Sequence, residues 1–525
     1  MRSRMSRHLT SLREVSETAA AGARAAAAAA LAESAPGGPD VAAELRALRS
    51  DLAFQRLRGV APAARTARAE AAPALEVAAA ARAHAPVELP PEFTWHDYTV
   101  FLLHCGAEIE HSLMVQYLYA AWSLGGPQVP TADRQQVAGW QTVILGIAKE
   151  EMGHLVTVEN LLRFIGGPLN FEREDYPFRS EFYPFNFTLE RLTLDSLAKY
   201  VVAESPDDWH GPEADEIKRR AERANRGVVT PVGRLYGRLI ELFATTDPPY
   251  LEERDLQPRT LAYQASWDEW GRGYRDGQRN STGPEPHSPD LLILTAASRD
   301  QAVAGLRAVA EQGEALAHEK DREESHFERF LRIYREMREV TWEPSRPVAL
   351  NPKPAGESDP DGEAGVAEDR DLACDVITDR EAIVWAYLFN VRYRLLLVNL
   401  IHALGVSGPT LQGEDLTPRG RLVNWTFAEM YNLRAIAGIL MQRPLEQGGD
   451  PTRHAAGPPF EMPYTLQLPV AEGNRWRLHR DLLEAAADEI ATLQEIGTRH
   501  ADFLRALADA DRLTMEQVEL LIPGP

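Results

Sequence analysis

The sequence predicts an all-α protein built as two helical bundles. Three observations carry this. Large apolar residues recur at helical spacing through most of the chain after residue 89. No run of alternating apolar and polar residues is long enough for a sizeable sheet. A stretch dense in Pro, Gly and acids at 344–372, with Pro344, Pro347, Pro352, Pro354 and Pro360, divides the helical region in two.

Taken in order, residues 1–88 hold twelve Arg, nine acids and no Lys, a net of +3 against −22 for the whole chain. They are rich in Ala but poor in large apolar anchors, so they read as a disordered or partly helical extension. A mitochondrial transit peptide is a poorer reading because of the acids. After Leu89-Pro90-Pro91, helices are expected near 94–124, 133–165, 190–204, 230–244, 300–317 and 322–338, which makes 89–343 a metal-binding bundle as argued below. Residues 344–372 read as a linker. Helices near 379–405, 418–442, 475–498 and 499–509 make 373–525 a second helical domain.

The chain has 525 residues, 44% hydrophobic and 26% charged, which is globular composition with material for a large core. A net charge of −22 without any Lys/Arg-rich run argues against a nucleic-acid partner. Two cysteines, Cys105 and Cys374, exclude a disulfide scaffold and a thiolate zinc cluster, and a reducing, cytoplasmic setting fits. The Ala-rich stretch Ala25–Ala32 is too weakly hydrophobic for a secretory signal. The longest apolar segment, Ile383 to Leu404, is interrupted by Asn390, Arg392, Arg394 and Asn399, so it reads as a buried helix, and no membrane partner is expected.

The chemistry centres on Glu151-Met152-Gly153-His154. A Glu and a His three residues apart on a helix share a face and can reach one metal ion. Ile144, Ala148, Leu155, Val158 and Leu162 place Glu151 on the apolar stripe, where an ionised carboxylate needs a cation, a partner or a shifted pKa. The bland alternative is a surface Glu–His pair. A second Glu-x-x-His stands at Glu323-Glu324-Ser325-His326. Two such pairs plus one Glu from each of two further helices are what a carboxylate-bridged dimetal bundle requires. Glu110 supplies one, on the stripe of Leu103, Ala107, Met114, Tyr117 and Ala121. Glu204, after Leu197, Tyr200 and Val201, supplies the other.

Assignments compete. Glu314 lies on a stripe with Val303, Leu306 and Ala310 and could replace Glu204 or Glu323. A straight helix would put it about 18 Å from His326, so both ligate only if the chain turns near 318–322. Glu108, His104 and His111 form a more polar face with a structural or supporting role. Tyr176, Phe178, Phe182, Tyr183, Phe185 and Phe187 either wall a substrate cleft or pack a long connection, the latter being the simpler reading. In the second bundle, Glu429 with Asn399 and His402 reads as a structural polar network, since no Glu-x-x-His accompanies them. Oxygen and imidazole ligands suit iron or manganese, so two ions, iron first and manganese second, are the expected cofactors.

Several motifs also carry a family resemblance. Gly106-Ala107-Glu108-Ile109-Glu110-His111 with Tyr117-Leu118-Tyr119-Ala120-Ala121, and Ile147-Ala148-Lys149-Glu150-Glu151-Met152-Gly153-His154, look like the first two ferritin-like helices. Asn160-Leu161-Leu162, Ile165-Gly166-Gly167-Pro168, Tyr183-Pro184-Phe185, Glu204-Ser205-Pro206, Gln312-Gly313-Glu314, Ser325-His326-Phe327 and Ala456-Gly457-Pro458-Pro459-Phe460-Glu461 follow in order. Together, over roughly 90–510, they resemble the ferritin-like domain of the iminophenyl-pyruvate dimer synthase family, found in the large synthases of violacein- and rebeccamycin-type pathways. The resemblance implies a ferritin-like four-helix bundle and a diiron oxidoreductase using O2 on a small, aromatic amino or imino acid of secondary metabolism. A homo-oligomer or a pathway enzyme is the protein partner it implies. The competing functions are iron storage and a non-catalytic helical scaffold.

Overall fold

The structure is a computed structural model that describes residues 89, 91–180, 182–270, 274–275, 278–279, 292–314, 324–356, 373–412 and 415–523. The expectations for 1–88, for Glu323 and for 357–372 lie outside the described residues. So does the side chain of Glu314.

The fold is all-α, with a ferritin-like bundle followed by a C-terminal set of helices. Two long helices, α1 (Trp95–Ser123) and α2 (Arg134–Phe164), form an antiparallel pair. Facing them are shorter helices: α3 (Leu194–Ala203), α4 (Pro212–Asn225), α5 (Gly233–Ala244), α6 (Arg299–Glu314) and α7 (His326–Arg338). Within this layer α3 packs on both α4 and α7, and α5 packs on α6. The C-terminal part is α8 (Arg380–Gly405), α9 (Pro418–Leu440), α10 (Glu472–Ile496) and α11 (Ala501–Leu521). The described strands are two-residue pieces, such as Lys353–Pro354 parallel to Val376–Ile377. Among the described residues, no helix is long and apolar enough to cross a membrane.

Local sequence explains the helix starts. Thr94 and Asp97 form a capping box at α1, and Thr193 with Ser196 does so at α3. Asp379 caps α8, and Thr417 caps α9 with Pro418 in the first helical position. Gly497, at φ +79°, ends α10 in the left-handed conformation that favours glycine.

One helix is not expected from the sequence, the last helix runs on to Leu521 rather than ending near 509, and one helix start is displaced. The α4 segment carries many charges and buries only Ala214, Ile217, Ala221 and Asn225, too thin a stripe to stand out in the sequence. The last helix of the first bundle starts at His326 rather than 322, because the Ser325 hydroxyl and the Glu328 carboxylate close a capping box there. His326 therefore leads its helix, and its motif is not an in-helix pair like Glu151–His154.

The core is one contiguous cluster of buried residues that runs through both sets of helices. Helix α1 is buried nearly all round because α2 covers one side and the C-terminal part another. Trp122 stacks on Phe460, with ring centroids 5.8 Å apart. His111 bridges the Phe171 carbonyl at 3.0 Å and the Tyr393 hydroxyl at 2.5 Å. The proline-rich stretch expected as a linker packs over 344–356: Ser345, Val348, Ala349 and Asn351 are buried. In α8, Trp385 and Leu388 are fully enclosed, and Arg392 is held by Glu429 and Asp511.

Candidate metal centre

Five acidic and imidazole side chains from four helices converge between the long pair and the shorter helices. Glu110 comes from α1, Glu151 and His154 from α2, Glu204 from the residue that ends α3, and His326 from the first position of α7. All five are buried, with 4% exposure or less. Helix periodicity places Glu110, Glu151 and His154 inward, as their apolar stripes require. The Ser325 capping box fixes His326.

Glu151 joins the two imidazoles. Its Oε2 lies 2.8 Å from His154 Nδ1 and its Oε1 3.0 Å from His326 Nδ1. Glu110 Oε2 approaches His154 Nδ1 at 3.5 Å, and Glu204 Oε2 approaches His326 Nδ1 at 3.6 Å. The two rings stack with centroids 5.3 Å apart. One ligand atom from each of Glu151, His154 and His326 lies within 4.8 Å of the others, a set that could hold a metal ion. The cluster borders a cavity of about 20 Å³, also lined by Leu113, Val309 and Ala310. That is room for one or two atoms of ion or water size.

The outward atoms are all occupied. Tyr236 donates to Glu110 Oε1, and Tyr117 donates to Glu204 Oε1 at 2.5 Å. His154 Nε2 meets Gln312 Oε1 at 2.8 Å, and His326 Nε2 meets Glu150 Oε2 at 2.8 Å. Arg329, one turn into α7, holds Glu150 from the other side. By contrast Glu110 Oε2, Glu151 Oε1 and His326 Nδ1 are buried and make no well-aligned hydrogen bond, the last two meeting only as an ion pair at 3.0 Å. Unpaired buried polar atoms are costly and normally rare. Here all three belong to the side chains that converge on one spot, as donors to a cation would.

Electrostatics fit the same picture. Burial raises Glu110, and the neighbouring Glu151 charge raises it further. Burial also raises Glu204, again reinforced by Glu151. Glu151 would be raised by burial too, but His326 and His154 outweigh that and hold it well below the usual carboxylate range. Both His rings are pushed up despite burial because carboxylates surround them. Several carboxylates forced together in a dry site need a positive charge among them.

Of the sequence-predicted ligands, the structure brings together Glu110, Glu151, His154, Glu204 and His326. Gly313 abuts them: a Cβ added there would stand 3.4 Å from Glu204 Oε2. Sequence reasoning missed Glu150, Gln312, Arg329 and Tyr236. Glu150 sits beside Glu151 and off the apolar stripe, so periodicity alone points it to solvent. Its burial comes from α7 closing over it. Glu108 lies outside the cluster, bonded to Tyr183 and Asn170.

A family model described as Ferritin-like matches residues 103–335, which include all five converging residues. The chain is 26% identical over 398 residues to dichlorochromopyrrolate synthase of Lentzea aerocolonigenes, covering 69% of this chain and 35% of that protein. It is 24% identical over 396 residues to 2-imino-3-(indol-3-yl)propanoate dimerase of Chromobacterium violaceum, covering 69% and 33%. The chain thus spans about a third of the length of these curated relatives. No solved structure matches it. Residues 103–335 form a ferritin-like domain, in a chain homologous at low identity to this synthase and this dimerase.

Proposed function

We propose that the chain is a dimetal oxidoreductase that uses O2 to oxidise a small organic substrate, with iron as the metal and manganese as the alternative. The observation that carries this is the convergence of five buried carboxylate and imidazole side chains, three of them (Glu151, His154 and His326) with ligand atoms close enough to share a metal ion, beside a cavity of about 20 Å³. Glu110, Glu151, His154, Glu204 and His326 would hold the ions. The ions would relay electrons from the substrate, which is oxidised, to O2, which is reduced.

The surrounding residues have separable tasks. Gln312 and Glu150 accept from the Nε2–H of their histidines, so that with a metal bound each ring would turn its Nδ1 lone pair inward. Tyr236 and Tyr117 fix which oxygen of Glu110 and Glu204 faces the cavity. Leu113, Val309 and Ala310 keep water from the site. The substrate class we propose is an aromatic amino or imino acid of secondary metabolism, supported by the activities for which the two homologous proteins are named.

The test is metal analysis of the full chain produced with iron or manganese, followed by reaction of the anaerobic Fe(II)-loaded protein with O2. Close to two metals per chain, lost in Glu151→Ala and His154→Ala, is expected. Metal content below about one per chain, or unchanged in both variants, would sink the dimetal site. Continued uptake of many irons would favour storage over oxidation.

A further inference from the structure

Well away from the metal cluster lies a much larger cleft of about 780 Å³, where the end of α1 and the start of α2 meet residues 346–347, the end of α9 and Arg499. Four arginines line it: Arg134, Arg346, Arg434 and Arg499. No Asp or Glu lines it, although the chain carries 78 acids against 56 Lys and Arg. Along α1, Trp122 stands twelve residues beyond Glu110, and along α2, Gln141 stands ten before Glu151, so the cleft is about 15–18 Å from the metal cluster.

These arginines lack the carboxylate partners that Arg329, Arg392 and Arg419 have. Among the described residues, Arg134 and Arg434 make no ion pair. Arg499 Nε donates to His500 Nε2 at 3.1 Å, and Arg346 Nη1 to the Leu124 carbonyl at 2.7 Å. Arg134 is moreover the first residue of α2, whose first turn holds no acid and whose Asp133 side chain makes no capping bond. A cation at the positive end of a 31-residue helix is locally unfavourable, and an anion would offset both charges at once. Such conflicts between local rules and the chosen residue concentrate at functional sites.

The walls favour an organic anion. Gly125 and Gly126 turn at φ +89° and +121°, and a Cβ at Gly125 would stand 3.7 Å from both terminal nitrogens of Arg346. Glycine thus leaves that guanidinium uncovered. Trp122, Leu124, Val137 and Met441 supply an apolar side, and the Trp122 indole N–H is buried without an acceptor. Planar guanidinium forks match carboxylates bidentately, and the volume is that of a small-molecule site.

We propose that this cleft binds a small aromatic anion bearing two carboxylates, at a site separate from the metal cluster. Four guanidiniums outnumber what one carboxylate can engage, and the apolar wall receives the ring. The site stands whether or not the metal cluster is an oxidase.

The experiment is calorimetric titration of the metal-loaded full chain with isophthalate, benzoate, inorganic phosphate and neutral isophthalamide. Isophthalate should bind one molecule per chain, at least about tenfold tighter than benzoate or phosphate, with isophthalamide silent. The double variant Arg134→Gln/Arg434→Gln should weaken isophthalate at least about tenfold while circular dichroism and metal content stay as in the wild type. Absence of saturable isophthalate binding, equal binding of isophthalamide, or full affinity in a folded double variant would overturn the site. Phosphate binding as tightly as isophthalate would overturn the organic dianion.

Discussion

His154 and His326 come from different helices, yet one carboxylate, that of Glu151, spans them: each of its oxygens faces the Nδ1 atom of a different ring, at 2.8 and 3.0 Å. In the protein without metal, the positive charge the carboxylates need resides on these rings as protons. Burial opposes protonation of both, but Glu110 and Glu151 outweigh it at His154, and Glu151, Glu150 and Glu204 do so at His326.

Metal loading should therefore release protons. A metal binds the neutral ring, so each histidine must shed its proton, and affinity should rise as pH rises. Titrating iron or manganese into weakly buffered protein, with pH followed directly, should show acidification that His326→Ala diminishes. Uptake with no proton release would contradict this account.

Removing the hydroxyl that positions Glu110 should loosen the site without dismantling it. Tyr236→Phe deletes the donor to Glu110 Oε1 and keeps the ring in the core. The expected loss is about 10–100-fold in metal affinity, with secondary structure intact. Competition with a chelator of known affinity measures it.

Arg392 carries a different burden. It is fully buried and pairs with both Glu429 and Asp511, tying α8 to α9 and α11. Arg392→Met leaves two buried carboxylates facing an apolar chain, at an expected cost of about 3–5 kcal/mol. Denaturant titration should show this, and Arg392→Lys should recover only part, because one ammonium cannot reproduce the fork.

Glu159 should make stability fall with pH. Burial raises it to about 8, only partly opposed by the Asn170 amide and Arg163. Between the usual carboxylate value and about 8, the unfolded chain has lost this proton and the folded protein retains it. The contribution is thus fully present at acid pH and lost as pH rises through that window. Glu159→Gln, which can still accept from Asn170, should melt at increasingly higher temperature than wild type as pH goes from about 5 to about 8.5. A constant gap would refute the assignment.

Much of this was legible in the sequence. Glu110, Glu151 and His154 stand on strong apolar stripes of two long helices, and periodicity places them without further help. Helix α8 was legible because Trp385, Leu388, Leu395 and Leu396 leave it no solvent face. What periodicity cannot supply is contact between distant segments. Glu150 reads as a surface acid until α7 brings His326 and Arg329 onto it. The Arg392 triad likewise joins three helices that share no local signal. The start of α7 escaped because a capping serine sits inside what resembles an in-helix ligand pair.

The interlock of α1 with the C-terminal helices has a consequence for how such a unit can be inherited. Trp122 seats against Phe460, His111 against Tyr393, and the Arg173 guanidinium reaches both the Tyr393 hydroxyl and the Phe460 carbonyl. The helix that carries Glu110 is thus clamped from behind by residues a few hundred positions downstream. Gene fusion or recombination that moved the ferritin-like helices alone would strip α1 of its backing and leave Arg173 and His111 as orphaned polar groups in an exposed apolar face. The segment from α1 through Phe460 must therefore travel together if α1 is to keep its backing.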